Sequence, residues 1–392
     1  MRSLFRLKLL PWEYGVRNLF RRASRTLLTL GGMTIVILLV LIVVAFIRGL
    51  ESSLAASGDE DVVLVYSISS AADIENSSIE ARVPALIGAS LDDVQQQYGV
   101  KHISPEIYLG TRVQIDATGE KGLGLVRGVT RSAPLVRSQV RIISGEWPAA
   151  GELLVGRLAY SKLGCREADL AIGQTVTFDG RQWPVSGVFA ADGSAFESEL
   201  WCDLETMQLA LKRQDISLAA FKLTPGASLA DIQMFCAERP ELELKAVRES
   251  DYYASLQQHY RPVRMLGWAM VWMIAGAGVF TGLNTMYGAV VGRMRELSTL
   301  QAIGFRRAAI TLSLVQESTL LATAGSLLAC LLAFLLVNGT AVRFTMGAFA
   351  LKVDSVAVLI GCATGLVLGV VGALPPAIKA MRASIVDGIK AI

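Results

Sequence analysis

The 392-residue sequence has only two histidines, His102 and His259, and five cysteines without a Cys-x-x-Cys spacing. A zinc site, which is built mainly from closely spaced cysteines and histidines, therefore has little to draw on. Cys165, Cys202 and Cys236 lie in one long segment between apolar runs. Because they are odd in number, one disulfide among them is conceivable, but a disulfide framework is not.

The sequence also lacks the short motifs of nucleotide binding and hydrolysis. It has no GxxxxGK[ST] phosphate loop, no HExxH and no GxSxG, and neither histidine has a serine or cysteine at motif spacing. The glycine-rich stretch at residues 119–124 lacks the strand and helix context of a nucleotide loop, so we interpret it as a flexible loop. A membrane-anchored enzyme is accordingly the least favoured function class, and we expect this chain to bind no cofactor.

Charge is scarce at 18% of residues, whereas hydrophobic residues make up 53% and the mean hydropathy is +0.47. This composition indicates a membrane protein with a substantial water-soluble part. A helix of about 20 apolar residues crosses a bilayer core, and such runs are easily found here. Four spans are predicted, at residues 27–47, 263–291, 308–337 and 355–374.

The net charge of +3 hides a strong asymmetry along the chain. Residues 1–25 carry seven basic side chains and one acidic one, whereas residues 48–262 carry 20 basic and 29 acidic ones. The loop at residues 292–308 and the tail after Pro376 are again basic. Because Lys and Arg favour the cytoplasmic side of short loops, we expect both termini and this loop inside, and residues 48–262 outside.

Between the first two spans the pattern predicts a mixed α+β domain in two parts, with a hairpin-rich insertion at about residues 140–215. Strands are predicted at 62–65 and 112–115 and a helix at 91–98. The turn at Asp179 and Gly180 predicts a hairpin of strands 175–178 and 183–188. A strand, a helix and a strand are predicted at 218–223, 228–237 and 242–247, before a helix at 249–260 that enters the second span.

The remaining segments are short. Residues 1–26 predict an amphipathic interfacial helix, residues 292–307 a basic amphipathic helix, residues 338–354 a short outer loop, and residues 375–392 a cytoplasmic tail. Glu317 lies inside the third span. It is either a functional intramembrane carboxylate or a group that pairs near the cytoplasmic face. Gly361, Gly365 and Gly369 recur every four residues of the fourth span, which favours close helix packing.

Taken in order, the chain resembles the MacB/FtsX-like permeases, the type VII ABC transporter subunits, over its whole length. The most specific likeness is in residues 295–329, RELSTLQAIGFRRAAITLSLVQESTLLATAGSLLA, and in the Pro-Ala-Arg ending of the tail. The segment SGEWPAAGELLVG and the hairpin that follows it are similar to the family's two-part periplasmic domain. No ATPase domain is fused to the chain, which implies a separate ATPase subunit.

The resemblance implies that the loop between the second and third spans is a coupling helix docked in a groove of the ATPase. The residues that match this element are Arg295, Glu296, Leu297, Leu300, Ile303, Gly304 and Phe305. Leu297, Leu300 and Phe305 are expected to supply apolar contacts, with Arg293, Arg306 and Arg307 at the rim. Two permease chains, identical or paralogous, are expected to pair with two ATPase copies that bind ATP and Mg²⁺.

Two functions of different classes remain. The first is a permease subunit in the bacterial inner membrane that drives export or extraction of a lipophilic or periplasmic substrate, with or without a membrane-fusion adaptor. The second is an FtsX-like signalling subunit that switches an outside partner such as a cell-wall hydrolase. Neither implies nucleic-acid binding. The sequence does not distinguish the two, because no stretch of residues 48–262 points to one substrate.

Overall fold

The computed structural model describes residues 21, 23–70, 73–344 and 347–382. Most of the expected interfacial helix at residues 1–26 and the end of the tail from residue 383 lie outside the described residues. The α-helices are α1 Ala23–Ser57, α2 Val83–Ser90, α3 Ala133–Val136, α4 Ala159–Leu163, α5 Leu204–Leu211, α6 Leu229–Glu238, α7 Glu249–His259, α8 Arg261–Val291, α9 Met294–Ala302, α10 Arg307–Leu336 and α11 Ser355–Arg382.

Sixteen strands complete the described part of the chain. They are β1 Val62–Ser67, β2 Ile79–Glu80, β3 Gln96–Gln97, β4 Val100–Lys101, β5 Ile103–Ile115, β6 Lys121–Val129, β7 Arg141–Gly145, β8 Leu153–Gly156, β9 Thr175–Phe178, β10 Arg181–Ala190, β11 Leu200–Asp203, β12 Asp215–Ile216, β13 Leu218–Lys222, β14 Leu244–Arg248, β15 Ala341–Phe344 and β16 Gly347–Ala350.

The chain divides into two compact units. The helical unit comprises the described residues of Met1–Arg48, Pro262–Asn338 and Leu351–Ile392, and the sheet unit comprises those of Gly49–Arg261 and Gly339–Ala350. Four helices of the described chain, α1, α8, α10 and α11, are long and apolar enough to cross a membrane. The predicted spans therefore correspond to four helices.

The sheet unit is built on one ten-stranded mixed sheet in the order β14-β1-β13-β5-β6-β11-β8-β10-β7, with β9 pairing to both β10 and β5. The pairs β10–β8 and β11–β6 are parallel and the others are antiparallel. Strands β13 and β14 flank β1, each antiparallel to it, and α6 connects them. The predicted strand, helix and strand of residues 218–247 are thus confirmed.

The hairpin of β9 and β10 is also confirmed, because Thr177 pairs with Gln182 and Phe178 with Arg181 across the two-residue turn. Asp179 has φ +51° and Gly180 φ +72°, the left-handed conformations that such a turn needs and that Asp and Gly tolerate. Phe178 and Trp183, both buried, stack with ring centroids 4.7 Å apart. The residues of the turn and the packing of the two buried rings therefore both favour the β9–β10 hairpin.

The helix predicted at residues 91–98 is wrong. Leu91 ends α2, Val94 forms an isolated bridge to Leu223, and residues 96–101 form the small hairpin of β3 and β4. The helix lies earlier, at Val83–Ser90, with Pro84 in its first turn, where a missing N–H costs nothing. The spacing of apolar and polar residues at 91–98 is helical, but a local hairpin and the bridge from Val94 to Leu223 give this segment an extended structure.

The expected outer loop at residues 338–354 contains the β15–β16 hairpin, which belongs to the sheet unit. It packs against the last turns of α1, where a Cβ added to Gly49 would lie 2.6 Å from the carbonyl oxygen of Ala350. Phe344 contacts Tyr260 edge to face, with ring centroids 5.2 Å apart. Glycine at position 49 is therefore what allows the hairpin to approach the helix.

In the helical unit, α11 packs closely on α1 and α10. A Cβ added to Gly361 would lie 2.8 Å from the Leu41 side chain, and one added to Gly365 only 1.9 Å from Ser326 Oγ. Gly369 similarly faces Ala322. The three glycines lie where small residues let helices approach. At the end of α1, Arg48 donates to Asp354 at 2.9 and 2.7 Å, just before α11 begins.

Candidate coupling site

The segment between α8 and α10 is a separate short helix, α9, bounded by two changes of direction. Helix α8 ends at Val291 and α9 begins at Met294. After Ala302 the chain turns at Gly304, whose φ of +103° is accessible to glycine but strained for other residues. Helix α10 then starts at Arg307. Residues 292–307 thus form a helix and a turn, as the amphipathic pattern predicts.

One face of α9 is packed inside the helical unit. Leu297 is 4% exposed and belongs to a buried apolar cluster with Val290 of α8, Ile310 of α10 and Ala377 of α11. Leu300 and Phe305 are half-buried and pack against the same cluster. Leu297 is therefore a contact within the chain. It is not part of the exposed face that a partner would meet, and the expectation for this residue must be revised.

The carboxylate that the sequence singled out inside the third span is paired. Arg293, immediately before α9, donates from Nη1 to Glu317 Oε2 at 2.9 Å and from Nη2 to Glu317 Oε1 at 3.0 Å. Both residues are buried, at 7% and 8% exposed. A two-pronged Arg–carboxylate pair fixes orientation as well as distance. The start of α9 is thus tied to the middle of α10.

The opposite face of α9 is open. Arg295, Glu296, Thr299, Ala302, Ile303, Arg306 and Arg307 are exposed. Ile303 is 70% exposed, and no buried apolar cluster of the described chain includes it. Of the residues that matched a coupling helix, Arg295, Glu296, Ile303 and Gly304 therefore lie on the open side. The face combines one large apolar side chain with arginines around it.

Helix α11 continues beyond the predicted end of the fourth span. It runs through Pro375 and Pro376 to Arg382, and Ala377, Ala380 and Met381 pack in the same cluster as Leu297. Gln301 of α9 donates from Nε2 to Met381 Sδ at 3.1 Å. The segment predicted as a cytoplasmic tail is thus, as far as residue 382, a further wall against which α9 packs.

A second set of buried charges lies inside the sheet unit. Arg127 donates to Glu199 and Glu106, and Arg137 donates to Glu106 and Glu249. All five are at most 3% exposed. Burial alone raises a carboxyl pKa, but Arg137 and Arg127 outweigh it at Glu106 and lower the pKa of that group. At Glu249 burial prevails and the pKa is raised.

This charged cluster connects strand β5 with two segments that are continuous in sequence with candidate spans, the end of α1 and the start of α7. Glu249 is the first residue of α7, which is followed directly by α8. Glu249 Oε2 also accepts from the backbone N–H of Asp59, 3.3 Å away and two residues beyond the end of α1. Glu106 lies on β5, the strand shared by both halves of the sheet. The sequence pattern gives no sign of this cluster, because its members are scattered over 144 positions, from 106 to 249.

Within the described residues no group of three or more His, Cys, Asp and Glu side chains could hold a metal ion. All five cysteines are described, and each is a free thiol. Burial raises the pKa of Cys165 and of Cys236 to about 11. These thiols are therefore protonated at neutral pH, which suits a structural role better than a nucleophilic one.

Four apolar helices, a large mixed-sheet unit formed by Gly49–Arg261 and Gly339–Ala350, and a short helix between the second and third apolar helices define a class of multispan membrane protein. Two family models match the chain: the MacB-like periplasmic core domain over residues 26–234 and the FtsX-like permease C-terminal domain over residues 268–385. The chain belongs to the MacB/FtsX-like ABC transporter permeases. In this family the chain is a non-catalytic permease subunit that works with an ABC ATPase in the inner membrane.

Solved structures resemble the chain only distantly. The periplasmic region of MacB from Actinobacillus actinomycetemcomitans is 9% identical, with 51% of this chain and 94% of that one covered and a TM-score of 0.39. The extracellular domain of the noncanonic ABC-type transporter YknZ from Gram-positive bacteria is 11% identical, with 47% and 99% covered and a TM-score of 0.36. A domain of a putative permease protein from Porphyromonas gingivalis is 14% identical, with 48% and 88% covered and a TM-score of 0.33. No curated protein matches the sequence.

Proposed function

We propose that this permease subunit transmits the motion of a separate ATPase to its sheet unit, and that the sheet unit lies on the outer side of the membrane. The charge asymmetry supports this orientation, since the sheet segment is acidic and the flanking loop and termini are basic. Two copies of the chain, or one with a paralogue, would pair with two ATPases that bind ATP and Mg²⁺. The output is export or extraction of a lipophilic or periplasmic molecule.

The observation that carries the proposal is the attachment of α9 to three spans at once. Arg293 pairs with Glu317 of α10, and Leu297 packs on α8, α10 and α11. Because packed interiors resist deformation, a force on the open face of α9 moves these helices with it. A basic loop that merely followed the charge rule would need neither the buried pair nor the shared apolar cluster.

The test is to break the attachment while leaving the open face intact. Glu317→Gln removes the charge that Arg293 faces, while Glu296→Gln, on the open face, is the matched control. In the complex with its ATPase, we expect a nonhydrolysable ATP analogue to change hydrogen exchange in α7 and the end of α1. Glu317→Gln should keep the ATPase bound and reduce that change at least about fivefold. The coupling free energy between two sites in a protein is typically about 1–3 kcal/mol, and loss of the low end of that range already corresponds to this factor.

Two results would contradict the proposal. One is a hydrogen-exchange response in Glu317→Gln equal to that of the unaltered chain and of Glu296→Gln. The other is a response confined to the helical unit in the unaltered complex, since the sheet unit would then receive no signal.

A further inference from the structure

The sheet unit contains a cavity of about 460 Å³ that none of the contacts described so far explains. Its size falls within the range of about 300–1,000 Å³ that is usual for small-molecule sites. All its lining residues belong to the sheet unit. The apolar part of its lining comes from Leu50 and Leu54 of α1, Leu256 of α7, and Phe344 and Phe349 of the β15–β16 hairpin.

The cavity is aromatic as well as apolar. Tyr108 of β5, Tyr252 and Tyr253 of α7, and Tyr260 line it together with the two phenylalanines of the hairpin. Tyr252 and Tyr253 meet edge to face, with ring centroids 5.3 Å apart, so their ring faces are turned in different directions. Aromatic faces attract cations as well as apolar groups, and Tyr108 already has the Arg127 guanidinium over its ring, 4.0 Å from the centroid.

The charged side chains that line the cavity are the carboxylates of Asp73, Glu75 and Glu199, and His259 lines it as well. Asp73 and Glu75 line it, and the carboxylate of Glu75 has no hydrogen-bond or ion-pair partner among the described residues. Burial, followed by the neighbouring Asp73, raises the pKa of Glu75, so its negative charge lacks full compensation. Lys162 is the cation that acts on Glu75, while the third carboxylate, Glu199, is satisfied by Arg127 and Trp201.

We propose that this cavity binds an amphiphile with a protonated amine, its cation near Glu75 and Asp73 and its apolar body among the aromatic rings. Charge complementarity selects this class over an anionic lipid, because an anion would face two carboxylates. Charge complementarity also favours the protonated amine over a neutral hydrocarbon, because a hydrocarbon would leave the carboxylate of Glu75 desolvated without a partner. Binding requires no ATPase; only the identification of the ligand as the transported molecule rests on the proposed function.

The connectivity of the chain gives the cavity a way to respond to the spans. Leu50 and Leu54 lie on the last two turns of α1, Tyr260 immediately precedes α8, and the hairpin joins α10 to α11. Each of the four candidate spans is therefore continuous in sequence with a wall of the cavity. A displacement of these helices would change the volume and the opening of the site.

The experiment is photocrosslinking of the full chain in phosphatidylcholine nanodiscs, without ATP or ATPase. The probe is a decylamine that carries a diazirine, and the matching diazirine decanol is the neutral reference. We expect the amine to label peptides of α7 and the β15–β16 hairpin, and the alcohol to label them at least about tenfold less at equal concentration. Tenfold corresponds to about 1.4 kcal/mol, which one charge-assisted hydrogen bond can supply.

Variants distinguish the contribution of the Glu75 charge to labelling from the contribution of the cavity volume. Glu75→Gln should lower amine labelling about tenfold and leave alcohol labelling unchanged, and Leu256→Trp should lower both by filling the cavity. Glu80→Gln, an exposed carboxylate outside the cavity, is the control for a general loss of negative charge. Equal labelling by amine and alcohol, or an amine signal unaffected by Glu75→Gln, would overturn the assignment, as would labelling confined to the lipid-exposed helices.

Discussion

At the scale of single residues, three carboxylates and two guanidinium groups are enclosed together in the sheet unit. Such a cluster is costly to desolvate and is stabilising only when each charge is matched. Glu106 accepts hydrogen bonds from both Arg127 and Arg137, whereas among the described residues Arg137 is the one cation that donates to Glu249. Glu106 is therefore better compensated by arginine than Glu249 is. Neutralising each carboxylate should change the stability of the fold by a different amount.

We predict that Glu106→Gln destabilises the chain much more than Glu249→Gln. The first change leaves two buried arginines short of a carboxylate, and breaking a buried pair in this way costs about 3–5 kcal/mol. The second removes the excess negative charge and keeps an amide oxygen for Arg137, so we expect a change below about 1.5 kcal/mol. Thermal unfolding in detergent, followed by tryptophan fluorescence, to which the buried Trp201 contributes, ranks the two variants. The reverse order would contradict the assigned charge balance.

The pH dependence of the same variants has opposite signs. The raised pKa of Glu249 means that the unfolded chain releases this proton first, so the unaltered protein loses stability as pH rises above 4.5, the ordinary value. The melting temperature of Glu249→Gln minus that of the unaltered chain should therefore increase with pH. The lowered pKa of Glu106 stabilises the fold above 4.5 and is lost as pH falls below it.

For Glu106→Gln the corresponding difference should thus become more negative as pH rises. Melting temperatures measured below pH 4.5 test the slope for Glu106→Gln, and those measured above pH 4.5 test the slope for Glu249→Gln, with Glu80→Gln as an exposed control. Two differences that vary with pH in the same direction would contradict the assignment.

At the scale of elements, α9 separates the residues that hold the chain together from those available to a partner. A substitution of Leu300 or Phe305 by Asp would place a carboxylate against the apolar cluster and disturb the helical unit itself. Ile303 offers a cleaner test, because it is 70% exposed.

We predict that Ile303→Asp lowers copurification of the ATPase at least about tenfold while the chain still inserts and keeps its melting temperature. An apolar contact at the centre of an interface often contributes more than 1.4 kcal/mol, which corresponds to that factor. Leu297→Ala is the matched control. It should lower the melting temperature, by creating a cavity worth about 2–5 kcal/mol, with a smaller effect on the partner. Undiminished copurification of Ile303→Asp would remove this face from the docking surface.

The elements that sequence reasoning predicted correctly are those specified by local chemistry. The Asp179-Gly180 turn requires positive φ, and the strand, helix and strand of residues 218–247 carry their own hydrophobic periods. The failures are those decided by distant partners. Val94 bridges the distant Leu223, although Gln96 and Gln97 pair with the neighbouring β4, and Leu297 packs in one cluster with Ala377 of α11, 80 positions further on.

In the candidate site, too, the features set by local sequence were predicted and those set by distant contacts were not. A helix between the second and third spans follows from amphipathic spacing, and Glu317 was conspicuous as a carboxylate in an apolar run. Its pairing with Arg293 depends on how α9 folds back on α10, and periodicity contains no information on that angle. Periodicity also cannot predict the buried cluster around Glu106 or the cavity that Glu75 lines, because the topology of the sheet brings their residues together.

At the scale of the whole molecule, the proposed mechanism requires α9 and the sheet unit to be on opposite sides of the membrane. The sheet segment has nine more acidic than basic residues, and the loop at 292–308 has an excess of three basic ones. A single cysteine introduced into each region of a chain whose native cysteines are replaced by alanine reports the side directly. Gln182 in the β9–β10 hairpin and Thr299 in α9 are both exposed and suit this purpose.

We predict that a membrane-impermeant maleimide added to intact spheroplasts labels Gln182→Cys and does not label Thr299→Cys. After permeabilisation both should react, which controls for accessibility within the protein. The physical reason is that arginines beside a span are retained on the cytoplasmic side, so α9 stays inside and the acidic sheet unit is translocated. Labelling of Thr299→Cys in sealed cells would place α9 opposite to any cytoplasmic ATPase, and transmission through the Arg293–Glu317 pair would then have no source of force.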